Sequence, residues 1–153
     1  MLKPILLVED NPNDLELTLI ALSKSQLANQ VVVMRDGAEA LDYLHRRGEH
    51  AGRVVGNPAV VLLDLKLPKV DGLEVLKDIR GSDKLKALPV VMLTSSKEEQ
   101  DLVRSYELGV NAYVVKPVDF SDFVRAISDL GVFWAVLNEP PPGSQRYVKP
   151  SKD

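Results

Sequence analysis

Five short apolar runs punctuate the chain: PILLV at 4–8, VVVM at 31–34, AVVLL at 59–63, PVVML at 89–93 and AYVV at 112–115. Each is nearly continuous rather than alternating, which predicts strands buried on both faces, as in a parallel sheet covered by helices. Between the runs the pattern becomes helical. Over 12–27, Leu15, Leu19 and Leu22 share a face. Asn11 is placed to cap that helix, Pro12 suits its first position, and Asp14 favours its positive end. A second helix at 38–47 carries Leu41, Tyr43 and Leu44 and closes on two arginines. A third follows Asp71, which with Glu74 resembles a capping box, and has Val75, Leu76 and Ile79 as its stripe. A fourth begins after Ser95 and Ser96, with Leu102, Val103 and Tyr106. A fifth runs from near Asp119 to about Leu137.

Strand and helix thus alternate five times, which predicts an α/β fold with a parallel sheet. Right-handed crossovers put helices on both faces, and ligands in such sheets bind beyond the carboxyl ends of the strands. The segment 48–58, GEHAGRVVGNP, reads as a longer loop. Residues 1–137 form one domain in this reading, and 138–153 a polar, Pro-rich tail expected to be extended or disordered.

Composition narrows the class. With 153 residues, 45% of them hydrophobic, the chain suffices for one domain with a sizeable core. A net charge of -3 and no strongly basic stretch disfavour nucleic-acid binding. Cysteine is absent, which removes disulfides and thiolate metal sites and fits a reducing compartment. There is no secretory signal pattern, and no apolar run approaches the length of a membrane span. The expectation is a soluble cytoplasmic protein with no membrane partner.

The chemistry gathers where the strands end. VVLLDLKLP at 60–68 runs four apolar residues into Asp64, and a buried carboxylate is costly without a counter-charge. Strand one ends in Glu9 and Asp10, strand two in Arg35 and Asp36, strand four in Thr94, and strand five in Lys116 and Pro117. In a parallel sheet all of these share one edge. Glu9, Asp10 and Asp64 repel one another there, and a hard divalent cation relieves them; magnesium prefers such oxygen ligands, beside a phosphate. Lys116 adds a compact positive charge suited to a phosphoryl oxygen, and Thr94 a hydroxyl donor. Such a pocket is expected to serve phosphoryl transfer. In this reading Asp64 would be the nucleophile, Glu9 and Asp10 would hold magnesium with Asp64, and the Lys66 backbone carbonyl would be a further ligand. Lys116 would neutralise the transferred group.

The motifs VED at 8–10, LLDLKLPKVDG at 62–72, MLTSS at 92–96 and YVVKP at 113–117, in this order and spacing, resemble the receiver domain of two-component response regulators over about 5–130. The resemblance implies a flavodoxin-like three-layer (βα)5 fold with strand order 2-1-3-4-5. It implies a phosphoprotein rather than a metabolic enzyme, with Asp64 receiving its phosphoryl group from the phosphohistidine of a sensor histidine kinase. Such a protein catalyses its own phosphorylation and slow dephosphorylation. The resemblance also implies a cis Lys116–Pro117 bond, and Tyr113 as a switch residue that turns inward when Thr94 closes on the phosphoryl group. Glu9 departs from the aspartate often found at its place. The long loop at 48–58 and the ending FWAVLNEPPP at 133–142 resemble the small single-domain regulators paired with bacterial phytochrome-type histidine kinases.

Each residue also has a plainer reading. Asp64 taken alone is a common turn residue, Thr94 a strand-end hydroxyl, Lys116 a surface lysine, and Tyr113 a half-buried aromatic. Lys66 matters only through its carbonyl. His45 and His50 have no partners at metal-ligand spacing and are assigned no chemistry. On the last helix, Phe120, Phe123, Val124, Ile127 and Trp134 share one face at about 100° per residue. Val132, Phe133 and Val136 fall outside it, and this surplus apolar surface points to a homodimer, which the family resemblance supports. Fraying, or a tail folded over these residues, is the alternative. Two other functions remain. An aspartyl phosphatase needs a second acid two residues after the nucleophile, where Lys66 stands. A flavin carrier needs a Ser/Thr/Gly-rich phosphate loop after the first strand, where EDNPND stands.

Overall fold

The computed structural model describes residues 3–24, 29–54, 56–95 and 98–116, together with the helical positions Ser121, Arg125 and Asp129. Its elements run β1 (Ile5–Val8), α1 (Pro12–Lys24), β2 (Val31–Met34), α2 (Gly37–His45), a 3-10 turn at Gly48–His50, β3 (Val60–Leu63), α3 (Gly72–Gly81), β4 (Val90–Thr94), α4 (Glu99–Glu107) and β5 (Ala112–Val115). All five strands pair in parallel, in the order β2-β1-β3-β4-β5. That is the order of the flavodoxin-like fold, as expected. Apart from Ser121, Arg125 and Asp129, the expected last helix lies outside the described residues, as do its residues Val132, Phe133 and Val136, the segment after Leu137, and Pro117 with the peptide bond before it.

The continuous apolar runs are explained by two separate cores. Leu6, Val8, Val61, Leu63, Val90 and Met92 point to one side, where Leu41, Tyr43, Leu44, Val75, Leu76 and Ile79 of α2 and α3 meet them. Ile5, Leu7, Val60, Leu62, Val91 and Leu93 point to the other, against Leu15, Ala21 and Leu22 of α1. Successive strand residues alternate faces, so both parities must be apolar when helices cover both sides. Burying each of these larger side chains contributes about 1.5–3 kcal/mol relative to leaving it in water.

Helix starts follow the capping chemistry. Asn11 Oδ1 accepts the backbone N–H groups of Asn13 and Asp14 at 2.9 and 3.1 Å. Asp71 Oδ1 accepts from Glu74 N at 3.0 Å. Asp36, which the sequence placed at the end of strand two, caps α2 by accepting from Glu39 N at 2.7 Å. α2 ends earlier than expected, on Arg46 in the left-handed conformation with φ 58°.

On α4, Leu102, Val103 and Tyr106 are exposed. The inward face is instead Asp101, Ser105 and Leu108, one helical stripe at i, i+4 and i+7, with Ser105 fully buried and its hydroxyl donating to the Asp101 carbonyl at 2.8 Å. The small serine lets the helix lie close, and the apolar residues are rotated to the outside.

Candidate functional site

The β1 and β3 backbones run in register, Val8 beside Leu63, so the residues that follow, Glu9 and Asp64, emerge side by side. Asp64 N donates to the Val8 carbonyl at 3.1 Å, extending the ladder to the carboxylate itself. On the far side, Thr94 of β4 is in register with Val115 of β5, and Lys116 N donates to the Thr94 carbonyl at 2.8 Å. The loop after β3 is pinned from two directions. Gly72, the first residue of α3, is so close that a Cβ there would lie 2.2 Å from the Asp64 carbonyl oxygen. Gly37 of α2 is equally tight against Val70, where a Cβ would meet the carbonyl oxygen at 1.8 Å. Only glycine permits these two approaches.

The expected cluster is assembled. Glu9, Asp10 and Asp64 each offer an oxygen, and these atoms all lie within 4.8 Å of one another. Glu9 and Asp64 are buried while Asp10 is exposed. Lys116 reaches into the group: its Nζ donates to Glu9 Oε1, to Asp14 Oδ2 at 3.0 Å and to Asp64 Oδ2 at 3.4 Å. Asn11 N donates to the other Glu9 oxygen at 3.3 Å.

Charge in this pocket is unbalanced. Burial pushes the Glu9 carboxyl up to about 7, and the neighbouring Asp64 pushes in the same direction, against the opposing pull of Lys116. Burial alone would lower the Lys116 ammonium, but its hydrogen bonds to Glu9 and Asp14 and the charges of Asp64 and Glu9 outweigh that, and it is held above its usual range. One lysine therefore does not satisfy the carboxylates around it. An all-oxygen donor set with surplus negative charge and one solvent-facing member fits a hard divalent cation that keeps some of its waters.

The remaining expected residues are placed as follows. Thr94 is fully buried at the end of β4, next to the strand that delivers Lys116. Tyr113 is half-buried and packs on the core beneath α2 and α3. The Lys66 side chain is exposed, two residues beyond Asp64. The histidines stay out of the acidic cluster: His45 Nε2 meets Asp78 Oδ1 at 2.6 Å, and the His50 ring stands edge-on to Tyr43 at 5.3 Å between centroids.

Two participants were not foreseen. Asp14 was read as a helix-end charge, yet it shares Lys116. Side chains on a helix lean toward its N-terminus, so a third-position carboxylate after an acidic strand end leans back toward that edge. That was the available signal. Gly72 left no signal beyond its place after Asp71, since its role is a tertiary contact.

Comparison with known proteins agrees with this geometry. Residues 5–128 match the response regulator receiver domain family. Response regulator Rcp1 of Synechocystis sp. is 40% identical over 132 residues, 86% of this chain and 88% of that protein. The structure of the bacteriophytochrome response regulator RtBRR is 72% identical, with TM-score 0.76, covering 94% of this chain and 87% of that one. The Mn(2+)-bound form of response regulator Rcp1 superposes with TM-score 0.83 at 39% identity, covering 91% of this chain and 99% of that one. An acidic pocket at the carboxyl edge of a 2-1-3-4-5 sheet, and a match across most of the sequence, lead to the same conclusion: the chain belongs to the response regulator receiver domain family.

Proposed function

We propose that Asp64 is the phosphoacceptor of this response regulator and that Lys116 and Thr94 receive the phosphoryl oxygens. The observation that supports this most directly is Lys116 Nζ lying between the Glu9 and Asp64 carboxylates within one buried pocket. An Asp64 oxygen attacks phosphorus, an O–P bond forms, and the N–P bond of a phosphohistidine breaks, its electron pair staying on the imidazole. The donor is a sensor histidine kinase. A phytochrome-type kinase is favoured by the likeness to a protein described as a bacteriophytochrome response regulator. Water later attacks phosphorus, the Asp64 O–P bond breaks with its electron pair on the carboxylate, and inorganic phosphate leaves.

Glu9, Asp10 and Asp64, with the Lys66 carbonyl, are the residues that would hold Mg2+, which when bound supplies charge neutralisation for the transferred group. The Mn(2+)-bound form of a relative supports a divalent cation at such a pocket. The added phosphoryl group brings about -1.5 to -2 charge at neutral pH. Lys116 and the Thr94 hydroxyl are the groups positioned to answer it, and Tyr113 follows Thr94. The output is a changed surface on α4, β5 and the segment after it, where Leu102, Val103 and Tyr106 already stand exposed for a partner. A homodimer through Val132, Phe133 and Val136 is part of this proposal, as are residues 1–137 acting as the receiver unit, 138–153 as its tail, and a cytoplasmic location. Among the described residues, no helix is long and apolar enough to cross a membrane.

The test uses acetyl phosphate with magnesium. Intact mass should show one phosphoryl group on the parent chain and none on Asp64→Asn. Equal uptake by the variant removes Asp64 from its role. For the dimer, light scattering should show Phe133→Glu as a monomer, and a monomeric parent would refute that part.

A further inference from the structure

Asp14 has no part in the chemistry above, yet it holds Lys116 at 3.0 Å, closer than Asp64 does at 3.4 Å. It is fixed on the first turn of α1, with its backbone N–H on Asn11 Oδ1 and its carbonyl accepting from the Thr18 hydroxyl at 2.8 Å. It is not one of the three residues whose oxygens lie mutually within 4.8 Å; those are Glu9, Asp10 and Asp64. Lys116 therefore touches two carboxylates that face the cation position and one that does not. The lysine side chain is 9% exposed and Asp14 35%, so their pair sits at the rim, partly shielded from water.

A dication and an ammonium sharing the same carboxylate oxygens repel each other, and the repulsion grows as local dielectric falls. A cation held by Glu9 and Asp64 draws on the two carboxylates that the lysine also contacts. Asp14 is the partner that remains. We propose that Asp14 is a positioning residue for Lys116, retaining the ammonium at the pocket rim while the divalent cation occupies Glu9, Asp10 and Asp64. This deepens the reading of those three residues as the cation site and rests on it. Asp14 lies outside the Glu9, Asp10 and Asp64 group and acts through the lysine. Without it, cation and lysine compete for the same oxygens, and both are held less well.

Asp14 also complements the positive end of α1, and that purely structural role must be separated. Magnesium binding by calorimetry on four proteins does so: the parent, Asp14→Asn, Lys116→Met and the double variant. With Lys116 present, Asp14→Asn should weaken magnesium binding by about tenfold, the scale of one charge-assisted hydrogen bond. In the Lys116→Met background the same substitution should cost at least about fivefold less, since only the general loss of negative charge remains. Asp14→Glu should recover most of the parent affinity. Equal losses in both backgrounds, or no loss in the parent background, would overturn the proposal. Should Lys116→Met fail to fold, carbon-13 resonances of the Lys116 ε-methylene answer the same question. Magnesium should leave them in an ion-paired range in the parent and shift them toward those of free lysine in Asp14→Asn; identical shifts in the two proteins would refute the idea. A parent chain that binds no magnesium at all would sink the cation site itself and this inference with it.

Discussion

Gly72 stands directly against the backbone of Asp64. A Cβ on Gly72 would lie 2.2 Å from the Asp64 carbonyl oxygen and 2.8 Å from the Leu65 Cα, and the Gly72 N–H donates to the Leu65 carbonyl at 2.8 Å. The start of α3 is thereby fixed to the turn that carries Asp64, the proposed phosphoacceptor. By helix propensity alone, Gly72→Ala gains up to about 1 kcal/mol. The atoms in the way are backbone, so they cannot rotate aside, and overpacking of this kind costs about 1–3 kcal/mol. The clash wins. Gly72→Ala should lower the urea midpoint and slow phosphorylation from acetyl phosphate, because the loop moves with Asp64 on it. A variant at least as stable as the parent, phosphorylated at the same rate, would show that the contact places nothing.

The pH dependence of the metal-free protein follows from Glu9. Its folded pKa, about 7, is raised above its ordinary 4.5, chiefly by burial. The folded state thus binds more protons than the unfolded one between these values. The stabilising contribution is complete below 4.5 and is lost as pH rises through about 7. Lys116 is raised too, but its contribution disappears only above the ordinary lysine value of 10.5. As pH rises from 4.5 to about 7, stability in chelator therefore falls. Asp64→Asn should flatten that slope, since Asp64 is the next cause of the shift. Urea unfolding at several pH values in the two proteins checks both statements, and a parent curve that rises toward pH 8 would contradict them.

The orientation of α4 separates two kinds of apolar residue. Leu76 of α3 is fully buried and Val103 of α4 is 48% exposed. Leu76→Ala should cost about 2–5 kcal/mol through lost contacts and a residual cavity. Val103→Ser should change stability by no more than about 0.5 kcal/mol, the scale of an ordinary surface substitution. Its effect should appear instead in partner binding, measured as kinase or self-association affinity of the phosphorylated chain. A large stability loss at Val103 would contradict its exposed placement.

What was legible in the sequence follows from how local each signal is. Ile5–Val8 and Val60–Leu63 were readable as strands because burial on both faces leaves no polar alternation, and the parallel sheet follows from their alternation with helices. Glu9, Asp10, Asp64, Thr94 and Lys116 were readable because each lies at a strand end, and a parallel sheet gathers strand ends on one edge. The inward face of α4 was not legible, because it is built on Asp101, Ser105 and Leu108, with little hydrophobicity to mark it. Asp14 and Gly72 depend on contacts across elements: an ammonium 102 residues away along the chain, and a turn seven residues earlier whose proximity has no period. The strand order came from family resemblance, since nothing in the apolar runs distinguishes a central strand from its neighbour.

Magnesium should act on stability and on the carboxylates with opposite signs. Without a cation, Glu9 is buried beside Asp64 with surplus negative charge, as its raised pKa records. A ligand that binds only the folded chain stabilises it by RT ln(1 + [L]/Kd), about 2.7 kcal/mol at a hundredfold excess over Kd. The thermal midpoint of the parent should therefore climb with the logarithm of magnesium concentration at pH 8, and climb less at pH 6, where protons compete for Glu9. Glu9→Gln removes the competing proton and one ligand charge together. Its midpoint in chelator should be nearly independent of pH over this range, and its response to magnesium should be reduced. Differential scanning calorimetry over a magnesium series at both pH values measures all of this. A parent midpoint that ignores magnesium at pH 8, or a Glu9→Gln response as large as the parent's, would mean that the buried glutamate is not among the groups the cation draws together.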